Sequence, residues 1–371
     1  MLDVKLKLKP GHTSERSWLE TSPLRALYWN VTYACNFHCK ICFTDAGQVS
    51  SDELSTPEAL ELVESAYAAG VRDIIISGGE PFARGDIVRI LGHMAELGMT
   101  ARIATNGSLL TDELLAELQR DTLTESFQVS LDTLDSDLYC RIHRAPRGTL
   151  ASVLHALRSM KEQGFHTTVS VRLSSETLPG IPALLDRAHE ESWATVTIHC
   201  PLHTRRTADA FPQDADVLSI LSPVFEHFVS LPERWLVETY IPWAPYHPEM
   251  RRLQEQIRVV HRGCSAGRDR LTVNPTGWIS PCVCLDVPAA YVGNVRADQL
   301  LDVFHSSPVC KMLREPQEHG ICADCHLVGT CGGGCRAAAF AQTGRLDGQD
   351  RSCPVWKKRQ SQRPAGVRHA K

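Results

Sequence analysis

The distribution of cysteine constrains this chain more than any other feature. Of fourteen cysteines, three lie within Cys35 to Cys42, eight lie between Cys264 and Cys335, and Cys353 follows. Only Cys140 and Cys200 occupy the long stretch between, where buried small hydrophobes are the expectation. Cysteines grouped at two- and three-residue gaps have the spacing of metal ligands. A secreted disulfide scaffold is much shorter and carries an export signal. Residues 1–10 alternate lysine with apolar side chains and lack the long apolar core of a signal peptide. No apolar stretch approaches a membrane span. A cytoplasmic protein with no membrane partner is therefore expected. The formal charge of −4 offers nothing to a nucleic-acid polyanion.

Strand and helix signals alternate from about residue 26. Leu27–Val31 reads as a strand running straight into the first cysteine group. A helix begins at Ser55/Thr56 with Pro57 in its first turn and stops at Gly70. Ile74–Ile76 is an apolar run of the kind buried on both faces. Helices are expected near 86–97, 112–118, 149–163 and 181–189, and strands near 101–104, 127–131, 168–173 and 194–199. Six strands and five intervening helices predict an α/β fold with a parallel sheet and right-handed crossovers. Spacing alone leaves a partial barrel and an open doubly wound sheet both available. Either one puts the chemistry at the C-terminal ends of the strands. The polar and glycine-rich loops fall there: Cys35–Cys42, Ser77–Pro81, Thr105–Gly107 and Asp132.

The rhythm divides the chain into an N-terminal extension (1–25), an α/β unit (26–204), a connecting segment (205–260), a cysteine-rich domain (261–360) and a basic tail (361–371). The connecting segment carries Phe211, Trp235, Tyr240, Trp243 and Tyr246 and reads as helical pieces. Those aromatics suit hydrophobic core better than the wall of a substrate pocket.

Cys35-x3-Cys39-x2-Cys42 supplies three thiolates inside eight residues. Structural zinc wants four ligands, and only His38 lies near enough to complete a local set. Three thiolates on one loop suit a 4Fe–4S cube with one iron left open. The pattern, with Ile41 before its last cysteine and Ser77-Gly78-Gly79-Glu80-Pro81 after the next strand, resembles the signature of radical S-adenosylmethionine (SAM) enzymes. That resemblance implies a partial (β/α)6 TIM-like barrel. It implies SAM chelated to the open iron, with Gly78, Gly79 and Glu80 at the SAM amino group. Ser130 and Asp132 match the residues that hold its ribose and methionine part. Asn106 matches the asparagine ending the third strand, and Arg141 the arginine that pairs with the SAM carboxylate.

Cys264-x12-Gly277-x4-Cys282, then Cys322-x2-Cys325-x5-Cys331-x3-Cys335, then Cys353, is similar to the seven-cysteine pattern of SPASM domains. The resemblance implies two auxiliary 4Fe–4S clusters. Cys322, Cys325, Cys331 and Cys353 would hold the outer one, and Cys264, Cys282 and Cys335 the inner one. Here the chain departs from the family pattern, because residues 265–276 contain no cysteine to serve as fourth inner ligand. Cys284, Cys310 or an open iron are the alternatives. Cys322-x2-Cys325 taken alone would also suit a zinc ribbon. Gly277-Trp278 reads as a hairpin turn.

The implied activity is reductive cleavage of SAM to a 5′-deoxyadenosyl radical, hydrogen abstraction from a substrate, and oxidative completion with the auxiliary clusters. The implied partners are an electron donor such as flavodoxin or ferredoxin, and a ribosomally made peptide or a small molecule (an aminosugar or tetrapyrrole) as substrate. An iron–sulfur electron carrier without turnover would account for the cysteines but not for Gly78-Gly79-Glu80, Asn106 and Asp132.

Overall fold

The computed structural model describes residues 2–8, 23–44, 46–47, 49–200, 216–261, 264–315 and 320–361. Phe211 and the tail at 362–371 lie outside the described residues.

The chain opens with β1 (Leu2–Lys7) and then enters the alternating unit. In order this is β2 (Ala26–Asn30), α1 (Thr56–Ala68), β3 (Asp73–Ser77), α2 (Ile87–Glu96), β4 (Thr100–Thr105), α3 (Asp112–Asp121) and β5 (Thr124–Ser130). It continues through α4 (Ser136–His143), α5 (Thr149–Glu162), β6 (His166–Arg172), α6 (Ile181–Glu190) and β7 (Thr195–Cys200). Strands β2 to β7 pair in sequence order, each parallel to the next, as short right-handed crossovers favour.

The helices form for local reasons and dock by one face. Pro57 occupies the first turn of α1, and Glu58 reaches back to the Ser55 amide at 2.8 Å. In α2 the residues at i, i+3, i+4 and i+7 (Ile87, Ile90, Leu91, Met94) are all buried. Each such side chain contributes about 1.5–3 kcal/mol by leaving water. On β3, Ile74 and Ile76 are fully buried while Ile75 is only half-buried, so burial there alternates between the faces.

Helix α4 has no counterpart among the sequence expectations. Asp135 caps it, accepting from the Leu138 amide at 2.7 Å, and Arg144 ends it in the left-handed region at φ 52°.

The sheet does not close on itself. The free edge of β2 is taken by β10 (Arg270–Val273), which runs parallel to it in the register Leu271↔Leu27 and Thr272↔Tyr28. The hairpin partner β11 (Trp278–Ser280) follows, with its turn at Gly277, φ 84°. The free edge of β7 is taken by β1, antiparallel, and beyond it lie β8 (Leu236–Thr239) and β9 (Arg258–His261). The N-terminal residues therefore supply an interior strand of one 12-stranded sheet, and the connecting segment adds two strands to its helical pieces.

Tyr28 on β2 and His199 on β7 line one cavity. In a flat sheet five strand spacings would separate them by about 24 Å. The sheet is therefore curled, as a partial barrel. The cysteine-rich domain is fastened to it by β10 and by Arg296, whose Nε lies 2.6 Å from Glu58 at the start of α1.

Candidate active site and cluster sites

A cavity of about 890 Å3 opens at the C-terminal ends of the parallel strands. Its lining brings together Cys35, Cys39, Cys42, Gly78, Gly79, Asn106, Ser130 and Asp132. These come from four separate loops of the sequence.

The two glycines are set by backbone crowding beneath the cysteine loop. A Cβ on Gly79 would lie 2.1 Å from the Ala34 carbonyl oxygen, and one on Gly78 would lie 2.5 Å from that of Thr32. The same crowding yields hydrogen bonds from Gly79 N to Thr32 O and from Glu80 N to Ala34 O, each 2.8 Å. Glu80 does not line the cavity but lies fully buried behind it. Its carboxylate accepts from Phe82 N (3.2 Å), the Thr105 hydroxyl (2.8 Å) and Asn106 N (2.7 Å). Burial raises its pKa to about 7 against the pull of those three bonds. The Asn106 side chain is likewise committed. It donates to Asn36 Oδ1 (2.8 Å) and accepts from Ser108 N (2.9 Å), tying the β4 loop to the cysteine loop.

Asp132 accepts from the backbone N–H of Arg172, and its Oδ2 lies 3.2 Å from His143 Nε2. The other ring nitrogen, Nδ1, lies 3.2 Å from Cys39 Sγ. Cys42 Sγ is 3.4 Å from the Thr44 hydroxyl, and Phe37 N donates to Cys35 Sγ at 3.4 Å. The Cys35 thiol is pushed up to about 11 and the Cys39 thiol upward as well, chiefly by burial. Bound metal would have to displace those protons.

Arg141 is not brought to the cavity. It is exposed on α4, with Nε 3.8 Å from Glu176 Oε1. The cation that does line the cavity is Arg172, on β6, whose guanidinium lies 4.8 Å from the centre of the Phe43 ring. Among the described residues it has no carboxylate partner. Beside it stands His199, held through Nδ1 by Asp3 Oδ1 (2.8 Å) and joined through Nε2 to Gln128 Nε2 (2.9 Å). Sequence reasoning missed Arg172, His199, Gln128 and His143. Inward alternation along β5 and β6 (Gln128 with Ser130, Ser170 with Arg172) was the available signal.

The second cysteine group is spread over two neighbouring cavities that share Cys331. Cys322, Cys325, Cys331 and Cys353 line a cavity of about 510 Å3, walled by Trp243 and Tyr246 of the connecting segment. These two aromatics therefore stand against the four cysteines of this cavity. Cys264 lines a smaller space of about 310 Å3 with Cys331, Gly332, Gly334 and Arg336. Cys200 is buried, and the Cys140 sulfur faces Pro146 O at 3.5 Å, so neither joins a site. The donor sets fit iron–sulfur clusters: three thiols on one loop at the cavity and four around a second space.

The radical SAM superfamily matches residues 29–201, and the SPASM iron–sulfur cluster-binding domain matches residues 264–326. The AdoMet-dependent heme synthase of Methanosarcina barkeri is 26% identical over 341 residues, 87% of this chain and 94% of that one. The mycofactocin maturase MftC of Mycobacterium ulcerans is 28% identical over 333 residues, 88% and 87% of the two chains. Among solved structures, Streptococcus suis SuiB bound to the precursor peptide SuiA superposes with TM-score 0.66 at 20% identity, covering 90% of this chain and 76% of that one. Native anSMEcpe with bound AdoMet gives 0.65 at 16% identity, covering 91% and 95%. No described helix is long and apolar enough to cross a membrane. Both matched domains, on a curled sheet with cysteines at its mouth, make this chain a radical SAM enzyme of the SPASM-domain subgroup.

Proposed function

We propose that the enzyme abstracts a hydrogen atom from a ribosomally made peptide and completes an oxidative modification such as a crosslink, using two auxiliary 4Fe–4S clusters. The observation that carries this reading is the shared cavity, in which three cysteine thiols face a polar wall of Gln128, Ser130, Ser170, Arg172 and His199. When bound, the cluster and SAM together supply a 5′-deoxyadenosyl radical.

Cys35, Cys39 and Cys42 would hold that cluster at the cavity mouth. Ser130 offers a hydroxyl toward SAM, while Gly78 and Gly79 keep the adjoining backbone close. Arg172, rather than Arg141, is the cation available to a carboxylate, and a guanidinium grips one in a bidentate fork. Asp132 positions Arg172 through the backbone and faces His143. The enclosing walls orient the target C–H and keep water away from a reactive intermediate. Peptide substrates are supported by the likeness to the mycofactocin maturase and to SuiB with its precursor peptide. The likeness to heme synthases supports a second reading, oxidation of a tetrapyrrole-like small molecule. A reducing cytoplasm and a flavodoxin or ferredoxin as electron donor belong to the same proposal.

The test is anaerobic incubation with SAM, a reductant and the products of neighbouring genes, following 5′-deoxyadenosine and substrate mass. A peptide lighter by two hydrogens supports the reading. Deoxyadenosine formation with mass change confined to a small molecule selects the second reading, and no deoxyadenosine contradicts both.

A further inference from the structure

We infer that Cys284 is the fourth ligand of the inner auxiliary 4Fe–4S cluster, joining Cys264, Cys282 and Cys335 and leaving that cluster no open iron. The inference rests on the reading that the C-terminal domain holds auxiliary clusters.

The sequence leaves a gap at this ligand, and the fold fills it from the far side of Cys282. A 3-10 turn, Val283–Leu285, follows β11 immediately. It folds the chain back, so that the Cys284 N–H donates to Cys282 Sγ at 3.4 Å. Cys264 is led to the same place, because Gly267 N donates to Pro281 O at 3.2 Å and clamps that segment beside Cys282. Cys335 approaches from the glycine-rich loop, whose Gly332, Gly334 and Arg336 share a cavity with Cys264.

Electrostatic neighbours trace a closed ring. Cys282 acts on Cys264, Cys264 on Cys335, and Cys335 on Cys284.

Cys310, the other cysteine within reach in the sequence, is excluded by its surroundings. It is fully buried on the helix Pro308–Arg314, with its amide bonded to Ser307 Oγ at 3.3 Å. It packs by its backbone against Gly267, its Cα 3.3 Å from where a Cβ there would stand. No other thiol is among its electrostatic neighbours.

A closed coordination sphere assigns substrate holding to side chains and leaves the inner cluster an outer-sphere role. Its place suits that role. Cys284 acts electrostatically on Tyr28, which lines the SAM cavity, and β10 sets Thr272 directly beside Tyr28.

The test uses full-length protein reconstituted without oxygen and carrying Cys35→Ala, Cys39→Ala and Cys42→Ala, so that only auxiliary clusters contribute. In this background Cys310→Ala should leave iron, sulfide and the Mössbauer spectrum unchanged. Cys284→Ala should either halve the iron or, after mild ferricyanide oxidation, give the EPR signal of a three-iron cluster. Cys284→Ser, which keeps the side chain's size and an oxygen donor, should retain the iron with a shifted spectrum. Full iron with an unaltered spectrum in Cys284→Ala overturns the assignment, as does a parent cluster whose spectrum shifts on adding cyanide. A background that binds no cluster iron instead defeats the auxiliary-cluster reading itself.

Discussion

His143 sets its Nδ1 3.2 Å from the sulfur of Cys39, on a helix whose cap at Asp135 aims the ring at the cluster loop. A ring N–H donated to a cluster thiolate favours the reduced, more negative state. A hydrogen bond of about 1 kcal/mol corresponds to about 40 mV in a one-electron couple. Replacing His143 by Phe should lower the midpoint potential of the SAM-binding cluster by that order, with iron content preserved. An EPR-monitored redox titration checks this, and an unchanged potential removes the bond from the account.

Arg172 and Arg141 make opposite claims on the SAM carboxylate. Arg172 faces the cavity and Arg141 faces Glu176. Arg172→Met should weaken SAM binding about tenfold or more, in line with the loss of a charge-assisted contact of about 1.5–3 kcal/mol. Arg141→Ala should change it less than twofold. Equilibrium binding of SAM to the reconstituted protein separates the two.

Crowding at Gly79 gives a packing prediction. A Cβ there meets the Ala34 carbonyl, whereas one at Gly85 meets nothing within 4 Å. Gly79→Ala should cost about 3 kcal/mol through displacement of the cysteine loop, with loss of iron incorporation. Gly85→Ala should melt and load iron like the parent.

Most of this architecture was legible because its signals are local. Cysteine spacing, strand–helix alternation and the glycine stop at Gly70 each act within a few residues. What was hidden depended on distant partners. Leu2–Lys7 is too short and too lysine-rich to read as an interior strand, and becomes one where Lys5 and Lys7 meet the buried Glu238, at 4.0 and 3.3 Å. Arg141 matched the family pattern by position, but α4 turns it outward and gives the cavity His143 instead. Cys284 could be read as sharing a face with Cys282 only if the strand continued, and a tight turn intervenes.

The same N-terminal strand carries a pH-dependent contribution. Burial works against the Asp3 carboxylate, but the charge and hydrogen bond of His199 outweigh it and hold the pKa at about 2, below the ordinary 3.8. A folded value below the unfolded one means stability that is present above about pH 4 and lost as pH falls toward 2. The difference amounts to about 2 kcal/mol. Asp3→Asn should therefore flatten the parent's loss of melting temperature between about pH 4 and pH 2. Thermal melts of the cluster-free protein over this range provide the check.

The most direct test of the whole reading is low-temperature EPR of the anaerobically reconstituted, reduced protein with and without SAM. An open iron held by Cys35, Cys39 and Cys42 should give a 4Fe–4S signal whose shape changes when SAM is added, and Cys39→Ala should lose that change. A 4Fe–4S signal indifferent to SAM, or none attributable to these three cysteines, would contradict the account.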